Sequence, residues 1–216
     1  MTFKGWPDAA IDFFDGLEED NSKSYWLANK SVYDGAVKAP MVELLAELEP
    51  EFGAGKIFRP NRDVRFSADK SPYKTAIAAT LLNGGYVQLS AAGLGVGSGL
   101  YFMAPDQLER YRKAVDRDSA GRDLEEIVAA LRKGGLDVSA HDALKTAPRG
   151  YAKDHPRVEL LRQKGLVAWK QWPAGPWLST RKAKARVLDV LDAARPMQGW
   201  LDTNVGPSTS PDAGRR

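Results

Sequence analysis

The sequence predicts an α+β protein, a mostly antiparallel sheet flanked by N-terminal and C-terminal helices. Three observations carry this. Apolar residues recur at helical spacing from residue 7 to residue 48, the period changes to two between residues 56 and 102, and helical spacing returns after residue 105. Helices before and after a run of strands indicate helices laid against a sheet, not alternating β-α units. The 216 residues, 43% hydrophobic and 27% charged, suffice for one large core, and no linker or internal repeat divides the pattern. We therefore expect a single domain over residues 1–206 and a flexible tail over residues 207–216, whose Gly, Pro and Ser content is that of turns.

The elements follow in order. Pro7 suits a first helical position and is followed by Ile11, Phe14 and Leu17. Ser22 can cap a second helix in which Trp26, Tyr33 and Val37 share a face. A third helix begins near Pro40, with Met41, Leu44, Leu45 and Leu48 as its stripe. The runs KIFRPNRDVRF, TAIAATL, GYVQLSA and LGVGSGLYF read as strands, separated by Asn83-Gly84-Gly85 and Ala92-Gly93. An antiparallel meander is the simplest arrangement for them. Helices then start at Pro105, run from Leu124 to the stop at Gly134-Gly135, and recur around Pro156 and Arg181, with GLVAWKQW as a further strand.

Composition removes several kinds of chemistry. The chain has no cysteine, so disulfides, thiolate catalysis and Cys-based zinc or iron–sulfur sites are excluded, and two histidines leave little for a histidine-rich metal site. No cofactor or metal ligand set is expected, although Asp63 and Asp69 could hold Mg²⁺ through a bound phosphate. The start lacks a basic segment followed by an apolar run, and no stretch approaches the roughly 20 apolar residues of a membrane span. The expectation is a cytoplasmic protein with no membrane partner.

Net charge is only +3, but it is unevenly placed. Residues 1–51 carry four Lys against eleven acids, and residues 145–186 carry eleven Lys or Arg against two. A field of that size draws in anions where it is not neutralised internally.

Three motifs stand out. Between Lys56 and Lys74, Arg59, Arg62, Arg65, Lys70 and Lys74 surround Asp63 and Asp69, the composition of an anion site or of a charged structural network. Strand alternation puts Arg62 beside Phe58, Val64 and Phe66, where an unpaired charge would be costly. In the second motif, LKTAPRGYAKDHPRVELLRQK, cations surround Asp154 and His155. His155 suits general acid–base work near neutral pH, or helix capping beside Pro156, where a helix start among cations would also suit a phosphate. In the third, Gly93, Gly95, Gly97 and Gly99 alternate along one strand and bare one face, to be filled by an aromatic, a helix or a flat ligand.

The blocks FKGWPDAAIDFF, NSKSYWLANKSVY, FRPNRDVRFSADKSPYK, GYVQLSAAGLGVGSGLYFMAPDQLERYR, LKTAPRGYAKDHPRVELLRQK and WLDTNVG resemble the family catalogued as domain of unknown function 2461, from about Phe3 to Gly206. The resemblance implies a single-domain cytoplasmic protein and carries no assigned activity. Trp6 stands where the family has Phe, and so does Leu27, two differences expected to concern packing.

The functional expectation is a pocket formed where residues 59–74 meet residues 145–164, binding a phosphorylated or other anionic small molecule. In it Arg62, Arg65, Lys70 and Lys74 hold the anion, Arg149 and Arg162 clamp it, and His155, Asp63 or Asp154 would handle protons; whether it is an enzyme is left open. Two alternatives stand beside it. A nucleic-acid-binding module would use Trp169, Trp172 and Trp177 beside Lys170 and residues 181–186. A non-catalytic interaction protein would use the charge blocks as internal ties. The sequence leaves the oligomeric state unknown.

Overall fold

The computed structural model describes residues 2–65 and 67–209. The expectations for Phe66 and for residues 210–216 of the tail lie outside the described residues. Helix α1 spans Ala9–Glu19, α2 Lys23–Val32 and α3 Ala39–Phe52; strands β1 Gly55–Ile57, β2 Ala76–Leu81, β3 Gly85–Ser90 and β4 Gly93–Leu100 follow. Then come α4 Pro105–Asp116, α5 Asp118–Lys133, β5 Asp137–Ser139, α6 Val158–Leu161, β6 Leu166–Trp172, α7 Lys182–Ala193 and α8 Arg195–Asn204. The six strands form one antiparallel sheet in the order β1-β2-β3-β4-β6-β5. The protein is α+β as the periodicity predicts. No helix among the described residues is long and apolar enough to cross a membrane.

The chain divides into two compact units. One runs to Val96 and resumes over Gln171–Asp189; the other comprises Gly97–Lys170 and the chain from Val190.

In the first unit, Ser22 caps α2 by accepting the Tyr25 N–H at 3.1 Å, as its position before the apolar stripe predicts. The helix expected to restart near Pro40 is continuous with α2 through a π-helical stretch, Tyr33–Lys38, in which the Ala39 N–H reaches back to the Asp34 carbonyl. A widened turn next to Pro40 accommodates a residue that has no N–H to give. Trp6, fully buried, donates its indole N–H to the Val37 carbonyl in this stretch at 3.1 Å. A phenylalanine at this position would have no such donor. Leu27 is 60% exposed, so the second family difference lies on the surface and not in the packing.

Strand pairing explains which residues are inside. The register sets Ile77 opposite Leu89 and Ala79 opposite Val87 and Ile57; Ile77, Leu89, Ala79 and Val87 are buried. The alternate residues Thr80 and Tyr86, and Ala78 and Gln88, pair on the other face. Alternation thus separates one apolar face from a mixed one.

In the second unit, Trp200 donates its indole N–H to Ala120 O at 2.9 Å and packs edge-on against Tyr111. Residues 205–209 are held at the start of α4: Arg110 donates to the carbonyls of Val205 and Pro207, and Asp106 accepts from Ser208 and from the Thr209 backbone. Strand β5 and helix α8 were not anticipated. At three residues, β5 is too short to show a period.

Candidate functional site

The expected strand KIFRPNRDVRF is regular only in β1; beyond it the chain makes a ribbon that leaves the sheet and returns to β2 at Ala76. Phe58 N–H donates to Ala78 O, Arg62 N–H to Pro72 O, and Lys74 N–H to Pro60 O, around a bridge between Asn61 and Tyr73. Pro60 cannot donate to a ladder, so the regular strand stops short of the run that the sequence reads as one. The ribbon is pinned from the helical side by Asn21. Its amide accepts the Tyr73 N–H at 3.0 Å and donates to the Tyr73 carbonyl at 3.1 Å, imitating a neighbouring strand. Trp26 stacks on the Tyr73 ring, centroids 4.3 Å apart.

Most of the ribbon's charges have partners within it. Arg65 grips Asp63 with two parallel hydrogen bonds of 2.9 and 2.7 Å. Arg62 pairs with Asp69, whose other oxygen accepts the Ser71 N–H at 2.9 Å. Arg62 is thus paired, and its side chain is partly exposed. Lys70 donates to the Val64 carbonyl at 3.0 Å. Lys74 lies over the Phe58 ring, 5.3 Å from its centroid, and Phe58 in turn lies 6.4 Å from Tyr86.

These pairs set the electrostatics. The Arg65 side-chain hydrogen bonds, then its backbone N–H, hold Asp63 down at about 2. Arg62, then Ser71, hold Asp69 far below the usual carboxylate range. Asp63 is therefore expected to titrate near 2 by carboxyl-carbon NMR, and Arg65→Gln should move it toward the ordinary aspartate value of about 3.9. Because the folded value is depressed, the pair contributes above about pH 4 and its contribution is lost as pH falls toward 2. An ordinary midpoint in the wild type would show that the pair does not form.

The remaining candidates belong to the second unit. Arg149 and Asp154 are exposed in turns. His155 accepts the Arg157 N–H on Nδ1 at 3.0 Å, so the neutral ring carries its proton on Nε2, which faces Asp116 Oδ1 at 3.2 Å. Its carboxylate partner is Asp116 and not the adjacent Asp154, because neighbouring side chains diverge. Arg162 donates to Leu144 O at 2.5 Å and to Glu159 at 2.8 Å, tying the 144 segment to α6. That helix is a single turn, so the expected phosphate seat at a helix start near Pro156 has no helix to support it.

Sequence reasoning missed Arg157. It is 5% exposed and donates Nε to Val115 O at 2.7 Å, and Nη2 to Asp116 O and Asp118 Oδ1, both at 3.0 Å. It holds together the break between α4 and α5, where carbonyls of one helix end beside the start of the next. Gly121 gives it room: a Cβ there would lie 2.5 Å from Arg157 Nε. The signal in the sequence was an arginine among the apolar positions of the DHPRVELL block.

The basic C-terminal stretch is similarly occupied. Arg186 lies 3.9 Å from the Trp177 centroid and 5.4 Å from that of Trp172, the rings that the nucleic-acid alternative would use for stacking. Lys184 pairs with Glu47 at 2.6 Å, and this bond, with the Phe3 N–H, lowers the Glu47 pKa. In the glycine run, the edge of Trp169 lies 2.9 Å from where a Gly97 Cβ would be. An aromatic therefore covers the bare face there.

Residues 9–200 match the model of a family described as conserved hypothetical protein (DUF2461), and the chain belongs to that family. No curated protein matches it. A conserved hypothetical protein from Pyrococcus furiosus of known structure is similar at 14% identity with a TM-score of 0.36, over 85% of this chain and 99% of that one.

Proposed function

We propose that the 58–74 ribbon binds a small phosphorylated or otherwise anionic molecule. One observation supports this above the others: among the described residues Lys70 and Lys74 are held by a carbonyl and an aromatic ring, neutral groups that leave their charge uncompensated. Six cations and two carboxylates lie between residues 56 and 74, and Arg62 and Arg65 take both carboxylates. Each ammonium has three donors, so both lysines keep donors for an incoming anion. Asp63, held ionised by Arg65, accepts hydrogen bonds at neutral pH but has no proton to give. The ribbon is thus suited to binding rather than to acid catalysis.

Inorganic phosphate, pyrophosphate and AMP test the reading. A ligand at about 100 times its dissociation constant adds roughly 2.7 kcal/mol, which in a protein of this size raises the melting temperature by roughly 5–10 °C. Lys70→Gln with Lys74→Gln should abolish the shift and leave the unliganded melting temperature nearly unchanged. If no probe moves the melting temperature or the amide resonances of residues 62–74, the ribbon is structural. A shift that survives the double substitution would place binding elsewhere.

A further inference from the structure

The second unit contains a half-open cleft of about 510 Å³, lined in part by Pro156, Arg157, Glu159, Leu160 and Gln163 of the second sequence motif. One wall is a stripe of α5, Glu125, Val128, Ala129 and Arg132, whose spacing of three, four and seven puts them on one helix face. The stripe reads acid, apolar, apolar, base, and spans about 10 Å at 1.5 Å per residue. Arg157 and Leu160 lie on another wall, and Val138 of β5 and Leu166 of β6 add apolar surface. Its volume lies within the range of small-ligand sites.

Arg157 and Glu125 face the cleft together, which Glu159, Gln163 and Arg132 also line. Arg157 spends Nε and Nη2 on Val115, Asp116 and Asp118. Its Nη1 forms an ion pair with Glu125 Oε2 at 3.6 Å, longer than a hydrogen bond, and makes no hydrogen bond among the described residues. A guanidinium that is 5% exposed therefore offers unused donors beside a carboxylate whose side chain is 43% exposed. The ligand that satisfies both groups carries a negative and a positive charge on adjacent atoms and an apolar remainder. An isolated anion would leave Glu125 facing like charge, and an isolated amine would leave Arg157 as it is.

We propose that this cleft binds a free α-amino acid with an aliphatic side chain. The α-carboxylate accepts from Arg157 Nη1, the α-ammonium donates to Glu125, and the side chain covers Val128, Ala129 and Leu160. Arg132 already donates to the Val138 carbonyl at 3.0 Å and closes the far end of the stripe. The inference is independent of the anion site on the ribbon, which lies in the other unit.

The test is an amide-resonance titration of the full chain with L-leucine, isovalerate and isoamylamine, which supply both charges, the carboxylate alone and the ammonium alone. L-leucine should give saturable shifts confined to residues 125–132 and 157–166, with each single-charge analogue at least about tenfold weaker. Ala129→Phe, at an exposed position on the cleft wall, should abolish the shifts. Glu125→Gln, which leaves Arg157 its other three bonds, should weaken L-leucine about tenfold and isovalerate little. Lys70→Gln with Lys74→Gln should leave L-leucine binding unchanged. Absence of saturable shifts with L-leucine overturns the proposal, as does isovalerate binding equally well or undiminished binding by the Ala129→Phe protein.

Discussion

Arg157→Met should destabilise the second unit by about 3–5 kcal/mol, from two helix-end carbonyls left without donors at about 1–3 kcal/mol each. Methionine keeps much of the arginine's apolar bulk. It cannot donate, so the Val115 and Asp116 carbonyls lose the donors that end α4, and Asp118 loses the guanidinium that is the first cause of its lowered pKa. For a chain of this length the melting temperature should fall by roughly 10–15 °C. Arg162→Gln provides the comparison: its own side chain is partly exposed and it serves one carbonyl and the exposed Glu159, so the cost should be near 1 kcal/mol. Equal losses in the two variants, measured by urea and thermal unfolding, would show that burial of Arg157 is not what matters.

The fold class was legible because it depends on period. The helical stripes of residues 9–52 and 105–131 and the alternation in β2 and β3 are long enough to be read one residue at a time, and Ser22 and Pro105 mark helix starts by chemistry that is local. What was not legible depended on partners distant in sequence. The π-helical stretch needs the Trp6 indole, 31 residues away from Val37, and so merges two helices that the sequence separates at Pro40. The strand expected through residues 58–65 is not regular because alternating Arg and Asp imitate a period-two pattern, whereas their side chains pair with one another.

The same distinction applies to the site residues. Charge density identified the ribbon and the DHP block, since cations in such numbers are visible by counting. Roles were invisible: His155 takes Asp116 from 39 residues upstream, and Arg157, one of several arginines in its block, is distinguished by burial alone. The cleft could not be foreseen, because its walls come from α5, β5, α6 and β6, and only helix α5 carries a readable stripe.

The glycine run yields the second large effect. Two of its four members have a backbone that L side chains rarely adopt: Gly93 at φ +104 and Gly99 at φ +128. At Gly99 a Cβ would also lie 2.2 Å from the Leu166 carbonyl oxygen, a backbone atom of the neighbouring strand that cannot swing aside. Gly99→Ala therefore combines backbone strain with overpacking, each worth about 1–3 kcal/mol, and should cost on the order of 2–5 kcal/mol. Gly35 is the opposite case, with a negative φ in the π-helical stretch and nothing within 4 Å of where its Cβ would stand. Gly35→Ala should stabilise the protein by about 0.5–1 kcal/mol through lost freedom in the unfolded chain. A run of glycines kept bare only to admit a flat ligand would tolerate alanine at position 99 with little loss of stability. A run required by strand approach would not, and chemical unfolding of Gly99→Ala and Gly35→Ala side by side distinguishes the two.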